Sequence, residues 1–278
     1  MTTRRSFLAA STAAAAGAFI SKGASAADVA TTQLPAKWDA ETVVLVAGSG
    51  IAGMSAAISA LDKGAKVLVM EKGKNYGGCA IINGGIIALG GGTRTQKEHG
   101  VEDSPEKLYK KLTNPAHHEY RKNTPELVKK YSEWCPGTQV WLEEHGVKFL
   151  PTFTRPGEYD SQHHESYHHI WWKDSGEGGR KPQPTGGFMT GRGIMMPYYE
   201  YFTGKGGQIF LEHKVVDVYV NDQGAVVGAK VQKPDGSIMN VKANKGVVLA
   251  GGSWKANPEL RRLTDPRFTE NMLSLIHI

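Results

Sequence analysis

Three glycines and one carboxylate carry the first recognisable chemistry in this 278-residue sequence. Gly48, Gly50 and Gly53 stand in the run Gly48-Ser49-Gly50-Ile51-Ala52-Gly53, and Glu71 follows 23 residues after Gly48. The first glycine permits a tight turn, the second lets the backbone approach a diphosphate, and the third lets a helix pack closely on a strand. Free N–H groups and the positive helix end then face the anion, and the acid can accept hydrogen bonds from ribose hydroxyls. A glycine-rich turn alone need bind nothing. What makes this one a dinucleotide cradle is its setting.

Before the turn lies the apolar run VVLVA (43–47). After it, Met54, Ala57, Ile58 and Leu61 recur at i, i+3, i+4 and i+7, a stripe suited to packing on a sheet. Gly64 stops that helix, and a second apolar run leads to Glu71. Further helix starts are expected at Ser104-Pro105, Thr124-Pro125 and Thr138, with Pro136-Gly137 separating the last two. The helices of about 104–145 are expected to cover one face of the sheet. Three short antiparallel strands are predicted at 215–220, 225–232 and 237–241, followed by a buried strand at 246–250 that returns to the main sheet and ends at Gly251-Gly252.

Two glycine pairs, Gly77-Gly78 and Gly84-Gly85, flank Cys79-Ala80-Ile81-Ile82-Asn83. Such a segment can lay backbone against a flat ring system. Cys79 invites a redox reading, but no second cysteine is near in sequence, and a small residue packed beside the ring is preferred. From 151 to 187 periodicity disappears, which predicts a long loop or insertion. Within it, His163-His164, His168-His169 and Trp171-Trp172 could hold a metal, line a substrate channel, or form a solvated, partner-facing loop. Without helical patterning or acids for a second shell, the loop is preferred and no metal site is named.

At these residues the chain resembles the flavoprotein family of fumarate reductases, succinate dehydrogenases, urocanate reductases and 3-ketosteroid dehydrogenases. The resemblance covers roughly residues 38–260. It rests on GSGIAG, Glu71-Lys72, GGCAIINGG (77–85) and GVVLAGGSWKANPEL (246–260). It implies an α/β fold: a Rossmann-like FAD-binding domain (42–255) with a parallel sheet and a small antiparallel β-meander, its cap domain missing beyond a beginning at 256–272. It further implies that Gly48, Ser49, Gly50, Ala52 and Gly53 hold the FAD diphosphate and that Glu71, beside Lys72, takes the ribose. Gly77, Gly78, Cys79, Asn83, Gly84 and Gly85 would border the isoalloxazine ring. Val215 or Val216 would meet adenine through the main chain, and Ala250, Gly251 and Gly252 would lie near the diphosphate.

Where respiratory members of this family carry a histidine that binds FAD covalently, this segment has none, so noncovalent FAD is expected. Cys79-Ala80 stands where many members have Asn-Ser or Asn-Thr, which puts a side-chain hydrogen bond near the flavin in doubt. The family's proton-donating Arg and carboxylate-binding His and Arg come from the cap and beyond, so no catalytic residue is named. The implied reaction is hydride transfer between flavin N5 and a carbon-carbon double bond of a small unsaturated substrate. The alternatives are a 3-ketosteroid-type dehydrogenase, with Trp171, Trp172 and Phe188 at a wide apolar entrance, and a non-catalytic FAD-binding remnant. No Cys-x-x-Cys-His occurs, so electrons are expected from a separate cytochrome or quinone-linked partner.

Residues 1–26 combine Arg4-Arg5, Phe7-Leu8, an Ala-rich stretch and Ala24-Ser25-Ala26, and read as a twin-arginine export signal rather than a retained anchor. That route carries proteins already folded, so FAD would be seated in the cytoplasm before delivery to the periplasm or outside. Residues 27–41 read as a linker. The signal holds three of the 33 basic residues and no acid, leaving 30 against 27 acidic. The pI near 9.1 therefore overstates basicity, and no nucleic-acid partner is expected. The last six residues, LSLIHI (273–278), read as a translated sequencing-adapter end, with a genuine apolar tail as the alternative.

Overall fold

The computed structural model describes residues 32–114, 124–149, 167–170 and 191–253, together with Asn257, Leu260 and Leu263. The export signal, most of the 151–187 stretch, Phe188, most of 256–272 and LSLIHI lie outside them. The chain forms two compact units, Met1–Tyr76 with Lys205–Gly252, and Gly77–Gly204 with Ser253–Ile278. The 42–255 stretch is thus divided in two.

In the first unit β1 (Ala40–Ala47), α1 (Ile51–Asp62) and β2 (Val67–Met70) form a βαβ element in which β1 and β2 are parallel. All four residues of β2 are buried, as a strand covered on both faces requires. Met54, Ala57 and Ile58 of α1 are buried and face inward, as their spacing predicts. β5 (Gln208–Phe210) joins β2 in parallel, followed by β6 (Lys214–Val220), β7 (Val226–Gln232) and β8 (Ile238–Leu249). The sheet order is β5-β2-β1-β8-β7-β6. A core of Leu45, Leu68, Met70, Ala229, Val231, Val241 and Ala243 spans its parallel and antiparallel parts.

Two expectations change here. The third meander strand and the returning strand are one strand: β8 pairs antiparallel with β7 through Ile238–Lys242 and parallel with β1 from Val241 to Leu249. Pairing with β1 on either side of Asn244-Lys245 carries it past the place where the sequence suggests a break; the irregularity is absorbed as a register shift between Thr42 and Val44. The described part of the linker is not free either. Thr32 N–H donates to the Val220 carbonyl at 3.1 Å, Asp39 N–H donates to the Asn240 carbonyl at 2.9 Å, and Ala40 already belongs to β1.

β5 and β6 lie at opposite edges of the order, yet only Leu211, Glu212 and His213 connect them. Five strand spacings amount to roughly 24 Å, whereas three linking residues reach roughly 14 Å. The sheet must therefore curl until its edges approach. Glu212 adopts φ 57 in this turn.

The second unit contains α2 (Gly78–Ile81), β3 (Ile86–Ala88), α3 (Arg94–Glu98), α4 (Pro105–Leu112), α5 (Pro125–Glu144), β4 (Tyr167–His169) and α6 (Arg192–Gly204). Ser104 caps α4, its hydroxyl accepting from Lys107 N–H at 3.2 Å, and Thr124 stands at the N-cap of α5. Thr138 starts nothing. α5 runs unbroken through Pro136-Gly137, and the Thr138 hydroxyl donates to the Trp134 carbonyl at 2.9 Å. α4 and α5 pack on each other, and Leu108 and Cys135 meet Leu89 in their core.

Candidate functional site

The cradle is built where β1, β2 and β8 end. Gly48 has φ +105, and its N–H donates to the Met70 carbonyl at 2.7 Å. A Cβ on Gly48 would drive into the Ala250 carbonyl oxygen, and a Cβ on Gly53 into the Gly48 carbonyl oxygen. Both glycines are thus needed by the protein's own packing. Gly50 is different. It is the N-cap of α1, with φ −70, and nothing lies within 4 Å of where its Cβ would stand. No side chain caps α1, and its first turn contains no acid. Orphan N–H groups beside open space at a helix start suit an anionic diphosphate.

Glu71 lies beside this turn, only 9% exposed. Its Oε2 accepts from Ser49 N–H at 2.9 Å and from the Ser49 hydroxyl at 2.7 Å, while Oε1 accepts from Gly73 N–H at 2.7 Å. His213 N–H donates to the Glu71 carbonyl at 2.8 Å, and Glu212 N–H to the Gly73 carbonyl at 3.0 Å. These bonds fasten the start of β6, and so Val215 and Val216, to the end of β2. A register shift between Val215 and Asp217 leaves Val216 out of the β6–β7 pairing and exposed. Ala250 continues from β8 with its N–H on the Ala47 carbonyl at 2.9 Å. Beyond it, Gly251 and Gly252 have open space at their Cβ positions, and Gly252 adopts φ +87.

The first unit therefore brings together Gly48 to Gly53, Glu71, Val215, Val216 and Ala250 to Gly252, with Lys72 exposed next to the acid. Gly77 to Gly85 belong to the second unit. There Gly77, at φ +100, precedes the single turn α2, Gly78 has φ +51, and Cys79, Ile82 and Asn83 are exposed. The Asn83 Oδ1 accepts from Gly85 N–H at 2.5 Å, and its main-chain carbonyl accepts from Gly191 N–H at 3.1 Å. Gly191 carries no Cβ because one would meet the Ala80 carbonyl oxygen, so α6 begins tightly against this segment.

The described part of the His and Trp stretch is not a solvated loop. Tyr167–His169 pair antiparallel with Ile86–Ala88, and Ile170 N–H donates to the Gly85 carbonyl at 2.8 Å. His168 is buried, with Nε2 at 2.8 Å from the Thr93 hydroxyl and its ring edge-on to Phe149. Burial of Ile170 and His168 outweighs the polar look of the surrounding sequence. No metal-holding group of His, Cys, Asp or Glu occurs among the described residues; His163, His164, Trp171 and Trp172 lie outside them. Sequence reasoning missed the buried polar frame here. Thr93 and Gln96 form a capping box, the Gln96 Oε1 accepts from Gly92 and Thr93 N–H at 2.9 and 3.0 Å, and the Gln139 side-chain amide donates to the Thr95 hydroxyl at 2.6 Å. The Thr-x-x-Gln spacing was its available signal.

A parallel sheet ending in a glycine cradle beside a buried, hydrogen-bonded acid defines a dinucleotide-binding domain of the Rossmann kind. Residues 43–277 match the family model described as FAD binding domain, so the chain belongs to that family and its cofactor is FAD. It is 30% identical over 262 residues to the acrylate reductase flavoprotein subunit of Shewanella woodyi, covering 91% of this chain and 47% of that protein. Among solved structures it resembles a 3-ketosteroid-Δ4-(5α)-dehydrogenase from Rhodococcus jostii RHA1 (TM-score 0.71, 30% identity, 84% of this chain and 50% of that one). It also resembles the open conformation of a flavocytochrome c3 fumarate reductase (TM-score 0.66, 27% identity, 86% of this chain and 38% of that one). The chain thus spans half the length of these relatives or less.

Proposed function

We propose that the protein is an FAD-dependent oxidoreductase of the fumarate reductase type, acting on a small substrate with a polarised carbon-carbon double bond. The observation that carries FAD binding is the open space at Gly50 beside the fixed Glu71 carboxylate, and the relatives supply the reaction class. Bound FAD supplies a two-electron carrier whose N5 exchanges a hydride with the substrate carbon. In this reading the first-turn N–H groups of α1 hold the diphosphate, Glu71 orients the adenosine ribose, and the main chain at Val215 and Val216 meets adenine. Ala250, Gly251 and Gly252 leave room for the diphosphate, and Gly77 to Gly85 border the ring.

FAD is held noncovalently in this reading, since no histidine stands in 77–85. Electrons arrive from a separate cytochrome or quinone-linked protein, and the twin-arginine signal sends the loaded protein across the membrane. No described helix is long and apolar enough to cross one. The 3-ketosteroid-type reading is favoured by one observation, the likeness to the Rhodococcus jostii dehydrogenase. Reoxidation of the chemically reduced full-length flavoprotein by fumarate, acrylate, urocanate and a 3-ketosteroid tests both. Fast reoxidation by a small unsaturated acid supports the first reading, reaction only with the steroid replaces it with the second, and none with any acceptor leaves a non-catalytic FAD-binding protein.

A further inference from the structure

Ser49 sits at the variable position between the first two glycines, where the usual account of the turn asks nothing of a side chain. Yet it is fully buried, and both of its donors converge on one atom. Its N–H at 2.9 Å and its hydroxyl at 2.7 Å both reach Glu71 Oε2. Among the described residues the other oxygen, Oε1, receives only Gly73 N–H, at 2.7 Å. The backbone of Glu71 is held as well, its N–H on the Phe210 carbonyl at 2.9 Å and its carbonyl on His213 N–H at 2.8 Å.

An ionised carboxylate offers about four acceptor positions and donates nothing. Three are filled by these donors, two of them on Oε2, so the remaining position belongs to Oε1. A side chain held at both oxygens and along its backbone loses little freedom when a ligand arrives, which is how preorganisation raises affinity. Ser49 is suited to this work because its hydroxyl and its own N–H reach the same oxygen without a longer chain to order.

Resting on the FAD reading above, we propose that Ser49 is a positioning residue for the adenosine ribose: its hydroxyl locks Glu71 so that Oε1 accepts a ribose hydroxyl. Ser49 touches neither the ribose nor the flavin in this account and acts only through the carboxylate. Its contribution therefore depends on the ribose hydroxyls and is absent for a ligand without them.

The test measures binding of ADP and of 2′,3′-dideoxy-ADP by calorimetry to the flavin-free full-length protein, in the wild type, S49A and S49G. Loss of one charge-assisted hydrogen bond within a prepared site is expected to weaken ADP binding about 5–10-fold. Binding of 2′,3′-dideoxy-ADP is expected to stay unchanged. S49G, which keeps the N–H and removes only the side chain, should reproduce S49A and serves if the alanine variant does not fold. Equal weakening of both ligands would show Ser49 acting on the diphosphate or the fold and would overturn the proposal. So would ADP binding unaffected by either substitution. If the wild type bound neither ligand, the FAD reading itself would fall.

Discussion

Gly48, Gly50 and Gly53 look alike in the sequence, but the structure separates their reasons. A methyl at Gly53 would overlap the Gly48 carbonyl oxygen, so Gly53→Ala should cost about 3 kcal/mol of stability, read as a lowered melting temperature with or without flavin. A methyl at Gly50 meets only open space, so Gly50→Ala should cost the flavin-free protein at most about 1 kcal/mol as a poorer N-cap. Its flavin content, measured by absorbance after purification, should nevertheless fall sharply. Gly48, Gly50, Gly53 and Glu71 stand out in the sequence through their spacing together with the strand and helix patterns around them. The Ser49 hydroxyl was not, because its role depends on a carboxylate 22 residues away and on where β2 ends.

The two cysteines differ in the same way. Cys79 is exposed, whereas Cys135 is buried in α5, where desolvation pushes its thiol up despite the opposing bonds to Gly90 and Tyr131. Tyr131 is likewise pushed up by burial, then by Cys135. A thiol that resists ionisation only in the folded state supports folding fully below the ordinary thiol range, about 8.5, and that support fades as pH rises through the folded-state value. The melting temperature should therefore fall from about pH 8 to pH 10, and Cys135→Ser, which stays neutral, should flatten that fall. Iodoacetamide should label Cys79 and spare Cys135 in the folded, flavin-free protein.

β8 and α5 show what local pattern could not reveal. Gly246 and the polar residues before it read as a break, but β8 keeps its pairing with β1 on both sides of them, at Val241–Ala243 and again from Gly246 to Leu249. Pro136 reads as a stop, and it does remove the N–H that would reach the Ser132 carbonyl, yet α5 continues because its buried face extends past the proline to Gln139 and Leu142. Pro136→Ala should therefore raise stability by about 1–3 kcal/mol, checked by urea unfolding. In the meander, Gly228 lies under the Trp38 ring, which meets Tyr219 edge-on with centroids 5.2 Å apart. A methyl at Gly228 would enter the Val241 carbonyl and that ring, so Gly228→Ala should loosen β7 from β8, lowering the melting temperature and increasing hydrogen exchange in β6 and β7. The meander's first two strands were legible from alternation and from turn residues at 221–224 and 234–236.

Across the molecule, the βαβ start and the antiparallel strands follow from local periodicity, whereas the division into two units does not. It depends on contacts made by 77–204 that leave and rejoin the first unit between Tyr76 and Lys205, a long-range property. The burial of His168 was hidden for the same reason: a lone polar residue gives no periodic signal, and its hydrogen bond to Thr93 spans 75 residues of sequence. FAD binding is the central claim. It is tested most directly by purifying the full-length protein after cytoplasmic folding, precipitating it with acid and analysing the supernatant. A yellow protein that releases FAD, close to one per chain, is the expected result. A colourless protein that takes up no FAD on reconstitution would contradict it.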